Sequence, residues 1–259
     1  MRHASRSVFV RRLFITAALF CASAFRLGAL TTVTNLFSVN LAIPDGSLSG
    51  ISDTRTVSLP DYTSITNLQV RLAISGGFNG DFYAYLTHGA GFSVLLNRPG
   101  RTVANPIGYG DSGLDVTFVN QPTNDVHRYG DFVMPSGPLT GAWSPDGRAV
   151  HPALVLDTDP RTALLNSFSG LDPNGDWTLF VADVDSGAQG TWLTWGIELT
   201  VVPEPGSLAL FLTGGMAVIL VSNARRRRSN LNENVIFVCK CPHYLNFSGR
   251  EPARPFRTS

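Results

Sequence analysis

Apolar residues in the middle of this chain recur at every second position, and that alternation decides what the chain can fold into. Leu68, Val70, Leu72 and Ile74 alternate with Asn67, Gln69, Arg71 and Ala73. A period of two sends successive side chains to opposite faces of an extended strand. After the turn Gly76-Gly77-Phe78-Asn79-Gly80 a second run follows at Phe82 to Leu86, and a short third at Val94 to Leu96. The alternation returns at Leu114, Val116 and Phe118, at Trp177, Leu179 and Val181, and at Leu193, Trp195, Ile197 and Leu199. No stretch outside the termini carries a 3.6-residue period. Many short strands parted by Gly, Pro, Asn and Asp predict an all-β fold, an antiparallel sandwich or barrel. Trp177 and Trp195 fall on the inward phase of their strands, where each ring can bury roughly 150–250 Å². Gly175 and Gly190 fall in the turns before those strands.

Charge is segregated along the chain, so the net +1 misleads. Arg2, Arg6, Arg11 and Arg12 crowd the N-terminus, and Arg225, Arg226, Arg227 and Arg228 crowd the other end. Between Phe25 and Val202, fifteen Asp and Glu198 face eight Arg and no Lys, which leaves that segment at −8. An acidic segment excludes a nucleic-acid partner, since phosphate binding needs a basic face. Cys21, Cys239 and Cys241 all lie outside it, so it holds neither a disulfide framework nor a thiolate metal site.

The ends carry export signals. Arg11 and Arg12 precede the apolar run Leu13 to Ala24, and Ala22-Ser23-Ala24 supplies a small-x-small cleavage pattern. Residues 1–24 therefore read as a signal peptide cut after Ala24 by signal peptidase. An uncleaved anchor is the other reading. At the far end, Pro203-Glu204-Pro205 ends the last strand, because Pro cannot continue a ladder. The uncharged stretch from Gly206 to Ala224 is just long enough to cross a bilayer as one transmembrane helix. Arg225 to Arg228 would keep their side in the cytoplasm and leave the middle segment outside.

The run Val202-Pro203-Glu204-Pro205-Gly206-Ser207-Leu208-Ala209-Leu210, the short span and the arginine cluster together resemble a PEP-CTERM sorting tail. That resemblance implies an exosortase-type membrane peptidase as partner and processing near Pro203, Glu204 and Pro205. It further implies release to the surface or matrix of a Gram-negative bacterium that makes exopolysaccharide. A plain C-terminal anchor is the alternative. Residues 229–259 depart from such tails, which stop soon after the basic cluster; they read as a cytoplasmic or disordered extension. Cys239-Lys240-Cys241 with His243 falls short of the four ligands zinc needs.

A second resemblance covers roughly Thr54 to Val201. Phe168-Ser169-Gly170, then Asn174-Gly175-Asp176-Trp177-Thr178-Leu179-Phe180-Val181-Ala182-Asp183, then Gly190-Thr191-Trp192-Leu193-Thr194-Trp195-Gly196-Ile197-Glu198-Leu199 resemble the P domain (Homo B domain) of subtilisin-like proprotein convertases. The blocks Leu95 to Gly100 and Trp143 to Arg148 resemble a bacterial subgroup of that family. The resemblance implies a jelly-roll sandwich of roughly eight strands over residues 54–202, with residues 25–53 as an N-terminal extension or first strands. In that family the catalytic Asp, His and Ser belong to a separate domain, for which this chain has no room. The resemblance therefore assigns no catalytic residue. It leaves two functions open: a non-catalytic surface module for binding or structure, or an accessory domain of a separate subtilisin-like serine endopeptidase.

Candidate sites follow. Gly110-Asp111-Ser112-Gly113, with His88 and His127 elsewhere, is similar to a protease nucleophile loop, but Leu114 follows where Gly is needed, and a turn explains it as well. Asp81 after its Gly-rich turn, and Asp183 and Asp185 at a strand end, are candidate calcium ligands, since Ca²⁺ takes six to eight hard oxygens. Asp81 and Asp183 match positions that the P domain resemblance implies for calcium; the alternative is turn capping. Asp157, Asp159 and Asp172 read as loop residues. Asp146-Gly147-Arg148 reads as a solvated pair, or as an anion contact through Arg148. Tyr83, Tyr85 and Trp192 fall on the outward phase, where aromatics stack on an extracellular polysaccharide or form a protein interface; partial cover by loops is the other reading.

Overall fold

The structure, a computed structural model, describes residues 30–121, 123–204, 214–223 and 225. The chain divides into two units, Arg26–Pro205 and the pair of end segments Met1–Phe25 with Gly206–Ser259. The first unit is a sandwich of nine strands: β1 (Thr31–Ala42), β2 (Ser47–Val57), β3 (Tyr62–Gly76), β4 (Phe82–His88), β5 (Gly91–Asn97), β6 (Leu114–Phe118), β7 (Leu139–Trp143), β8 (Gly175–Asp183) and β9 (Gly190–Pro203). Five of them form one sheet in the order β1-β9-β3-β6-β7, and four form the other in the order β2-β8-β4-β5.

Each alternating run of the sequence lies on one of these strands. Leu68, Val70, Leu72 and Ile74 of β3 are buried, and Val70 pairs with Ile197 and Leu72 with Trp195 of β9. From the other sheet come Phe82, Leu86, Trp177, Leu179 and Val181, and the two sets close one core. Trp177 stacks on His88 at 4.0 Å between centroids and sends its indole N–H to the Pro173 carbonyl at 3.2 Å. Strand β1 comes from the stretch before Thr54, β2 straddles that residue, and each forms an edge of one sheet. Of the seven strand pairings, six are antiparallel and one is not: β6 and β7 run parallel, since the long excursion from Phe118 to Leu139 returns the chain in the same direction.

The tail lies largely outside the described residues. Ala24, Pro205, Arg226, Arg227, Arg228, Cys239, Cys241 and His243 fall there. Strand β9 does end at Pro203, with the Glu204 N–H donating to the Asp61 carbonyl at 2.8 Å. Of the proposed span, residues 214–223 are helical and exposed. No helix among the described residues is long and apolar enough to cross a membrane.

Candidate functional site

The β4–β8 ladder pairs Phe82 with Asp183, which brings the start of β4 to the end of β8. A 3-10 turn at Asn79–Asp81 delivers Asp81 to the same corner, where its carbonyl accepts from the Val184 N–H at 2.9 Å. Asp81 and Asp183 are both buried. Neither carboxylate oxygen of Asp183 is reached by solvent or by a hydrogen-bond donor. The Gly190 and Asp185 amides lie near enough to lower its pKa somewhat but outside hydrogen-bond geometry. Burial, then the charges of Asp81 and Asp45, push Asp183 up to about 7. Burial also pushes Asp81 up to about 6; Arg98 opposes this, while Asp185 and Asp45 add to it.

Arg98 explains the third carboxylate. Its Nη2 lies 2.8 Å from Asp185 Oδ2 and 3.5 Å from Asp81 Oδ1, and its Nε donates to the Gly80 carbonyl at 3.1 Å. Asp185 is thus drawn onto a guanidinium and does not join Asp183. Among the described residues no three His, Cys, Asp or Glu converge to hold a metal. The donors that fit a hard cation are Asp183, whose oxygens are orphaned, and Asp81.

The outward phase of the four-stranded sheet carries four rings. Tyr85 stacks on Phe180 at 4.8 Å and 20°, with Tyr83 at 5.8 Å and Phe92 at 5.6 Å from Tyr85. Phe180 and Phe92 join the two tyrosines because β8 and β5 flank β4 on either side. Hydroxyls of Thr54 and Thr178 meet at 2.8 Å on the neighbouring strands. Tyr83 and Tyr85 are half-buried by this mutual packing.

Trp192 does not belong to that face. It is fully buried. Trp192 and Trp195 are three residues apart, an odd separation that a regular strand would split between faces. The β3–β9 register shifts at this point, from Ala73 opposite Thr194 to Ile74 opposite Trp192. The β1–β9 ladder shifts at the same place. This bulge absorbs Leu193 and turns both indoles inward.

The loop groups read as a solvated pair, and those read as similar to a nucleophile loop, are tied into hydrogen bonds and ion pairs. Asp146 and Arg148 are buried, not solvated. Arg148 bridges Asp125 at 2.8 Å and Asp146 at 3.2 Å. His127 Nδ1 lies 2.7 Å from Asp146 Oδ2, and its Nε2 lies 2.9 Å from the Arg101 carbonyl. Both partners accept, so both ring nitrogens donate, which requires the imidazolium. Burial alone would lower the pKa of His127, but the Asp146 hydrogen bond and charge outweigh it and raise it. His88 is equally committed, with ring nitrogens 2.9 Å and 2.7 Å from the Asp176 and Asp172 carbonyls. Both ring nitrogens of each imidazole thus face an acceptor already. Asp111 instead accepts from the Tyr129 hydroxyl at 2.8 Å and tethers its loop. Asp172 caps the Asn174 N–H at 2.9 Å and Asp159 the Leu156 N–H at 2.8 Å, as loop residues do.

No family model matches the chain, and no curated protein matches it either. Among solved structures, the serine protease of Aeromonas sobria is similar, at 19% identity and a TM-score of 0.38, over 67% of this chain and 27% of that one. The same protease in complex with its chaperone gives 18% identity and a TM-score of 0.36, over 71% of this chain and 29% of that one. The chain spans under a third of the length of either, and likeness at this level carries no functional conclusion.

Proposed function

We propose that this chain is an exported, non-catalytic, P domain-like jelly-roll sandwich that binds extracellular polysaccharide at the cell surface or in the matrix of a Gram-negative bacterium. Its export signal and PEP-CTERM-like tail are the features that support this destination, with signal peptidase and an exosortase-type enzyme as processing partners. The observation that carries the binding role is the cluster of Tyr83, Tyr85, Phe92 and Phe180 on an outer sheet face. Rings on such a face stack on the apolar faces of sugars. Commitment of His88 and His127 to structural acceptors supports the non-catalytic part. The test is saturable retention of the purified protein on isolated extracellular matrix. Y85A and F180A, checked for an unchanged fold, are expected to weaken retention at least about tenfold, the loss of roughly one stacking contact. Retention that ignores both variants, or none at all, would remove the reading and direct the search to a protein partner such as a separate subtilisin-like enzyme.

A second reading, favoured by the two orphaned oxygens of Asp183, concerns the buried corner. Asp183 and Asp81 would hold Ca²⁺, with other oxygens completing its six to eight ligands. The ion would supply the positive charge that two buried carboxylates lack, and so act as a structural clamp. Chelation at neutral pH should then lower the melting temperature, and D183N should abolish the difference. A melt indifferent to chelation removes calcium from the account.

A further inference from the structure

Among the described residues the sandwich has four edge strands, β1, β7, β2 and β5, and three of them are blunted. Strand β5 is covered by the loop after β7: the Val94 N–H donates to the Ala163 carbonyl at 3.0 Å, and the Asp146 and Gly147 N–H groups donate to Leu95 and Val94 at 3.0 and 2.9 Å. Strand β7 is five residues long. Strand β2 is bent by a bulge between Ser47 and Ile51, and turns two charges inward, where Asp53 Oδ2 accepts from Trp195 Nε1 and Arg55 Nε, both at 2.7 Å. Short strands, bulges, inward charges and covering loops are the means by which proteins prevent edge-to-edge pairing.

Strand β1 uses none of them over most of its length. Its twelve residues include no Asp, Glu, Lys, Arg, His or Pro, in a segment that carries −8 overall. Its bulge lies beyond Ser38. Between Thr32 and Ser38, the one hydrogen bond its backbone receives outside the β9 ladder, among the described residues, comes from Arg55 Nη2 to the Ser38 carbonyl at 3.2 Å. On its outer phase Leu36 is 58% exposed, and on its inner phase Val33 and Phe37 are only partly covered by the core. Midway along this regular stretch, the Asn35 Nδ2 is shut away from solvent and meets no acceptor among the described residues.

We propose that β1 pairs with β1 of a second copy of this chain, antiparallel about a two-fold axis at Asn35, so that two five-stranded sheets become one of ten. The centre is fixed by the sequence itself. Pairing about Asn35 runs from Thr32 to Ser38 and stops before the bulge. It sets Val33 opposite Phe37 of the second copy and Thr34 opposite Leu36, an aromatic–β-branched pair and a mixed pair of the kind that favours sheets. It also sets Asn35 opposite its own copy, within reach of an amide-to-amide hydrogen bond by rotation of the side chain. A two-fold interface must be self-complementary, and an uncharged edge meets that condition where the rest of an acidic surface repels its like. A strand pair of this length buries little area, which places the dimer among concentration-dependent ones.

Sedimentation velocity of the full chain over a concentration series tests this. Thr34 and Leu36 are exposed, so substitutions there leave the sandwich intact. The double variant T34K/L36K faces like charges across the axis and should weaken dimerisation at least tenfold, whereas T34E/L36K faces opposite charges and should restore it. Hydrogen exchange supplies a readout on the unaltered chain: amides from Thr32 to Ser38 should gain protection as concentration rises. A monomer at all concentrations, a dimer indifferent to T34K/L36K, or exchange at β1 that ignores concentration would each overturn the proposal.

Discussion

Asp183 has its two carboxylate oxygens buried without a donor, and its titration should be visible in the stability of the whole fold. Its pKa, and that of Asp81, is raised to about 7 and about 6 from the ordinary value of 3.8. The folded state therefore binds more protons than the unfolded state between about pH 4 and 7, and stability falls as pH rises through that window. His127 acts in the same sense above it: its raised pKa contributes stability that is complete below its ordinary 6.5 and lost as pH passes the folded value. In the absence of divalent cations, the melting temperature should be higher at pH 5 than at pH 7.5, and D183N should flatten the slope between them. A melting temperature that rises over this interval contradicts the burial of Asp183. Arg98 is the second residue to test. R98A leaves Asp81 buried without its cation, and loss of one partner of a buried pair costs about 3–5 kcal/mol; urea unfolding measures it. None of this polar pairing was legible in the sequence. Asp81, Asp183 and Asp185 stood out as strand-end carboxylates, but Arg98 is far from Asp185 in sequence, and only the fold shows that it claims Asp185.

Strands were legible where both faces differ in polarity. The alternating runs of β3, β4, β6, β8 and β9 each have one face in the core and one toward solvent. Strand β7, Leu-Thr-Gly-Ala-Trp, escaped notice because three of its five residues are exposed and small or polar. Trp192 was misplaced for a different reason: a bulge changes phase without a mark in the apolar pattern. Two substitutions test the elements. Trp177→Ala, near the start of β8 between His88 and Phe168, should cost about 3–5 kcal/mol in denaturant unfolding; a loss near zero would mean that β8 does not face the core. Gly50→Ala should also destabilise, because Gly50 has φ +48 and a Cβ there would stand 2.4 Å from the Val181 carbonyl oxygen and 2.5 Å from the Phe180 ring. The same substitution at Gly89, where a Cβ meets nothing within 4 Å although φ is +54, should cost less. Equal costs would mean that the β2 bulge is not seated against β8.

At the scale of the whole molecule, period-two patterning and turn residues act locally and made the all-β class plain; they left sandwich and barrel open, and only the P domain resemblance pointed to the sandwich. Sheet order, the parallel β6–β7 pair and the identity of the open edges depend on contacts between residues far apart in the chain, and no local pattern encodes them. Of the outer ring cluster, Tyr83 and Tyr85 were legible in the sequence, whereas Phe180 and Phe92 join them only through the strand order β8-β4-β5. The proposed function requires export of the sandwich to the outside of the cell. Intact mass spectrometry of the chain recovered from the surface or matrix of the source cells tests that most directly. A mass that begins at Phe25 and ends near Pro203 to Pro205 is expected, with the sandwich retained whole. A recovered chain that still carries Arg225 to Arg228, or one found within the cytoplasm with its first 24 residues intact, would contradict it.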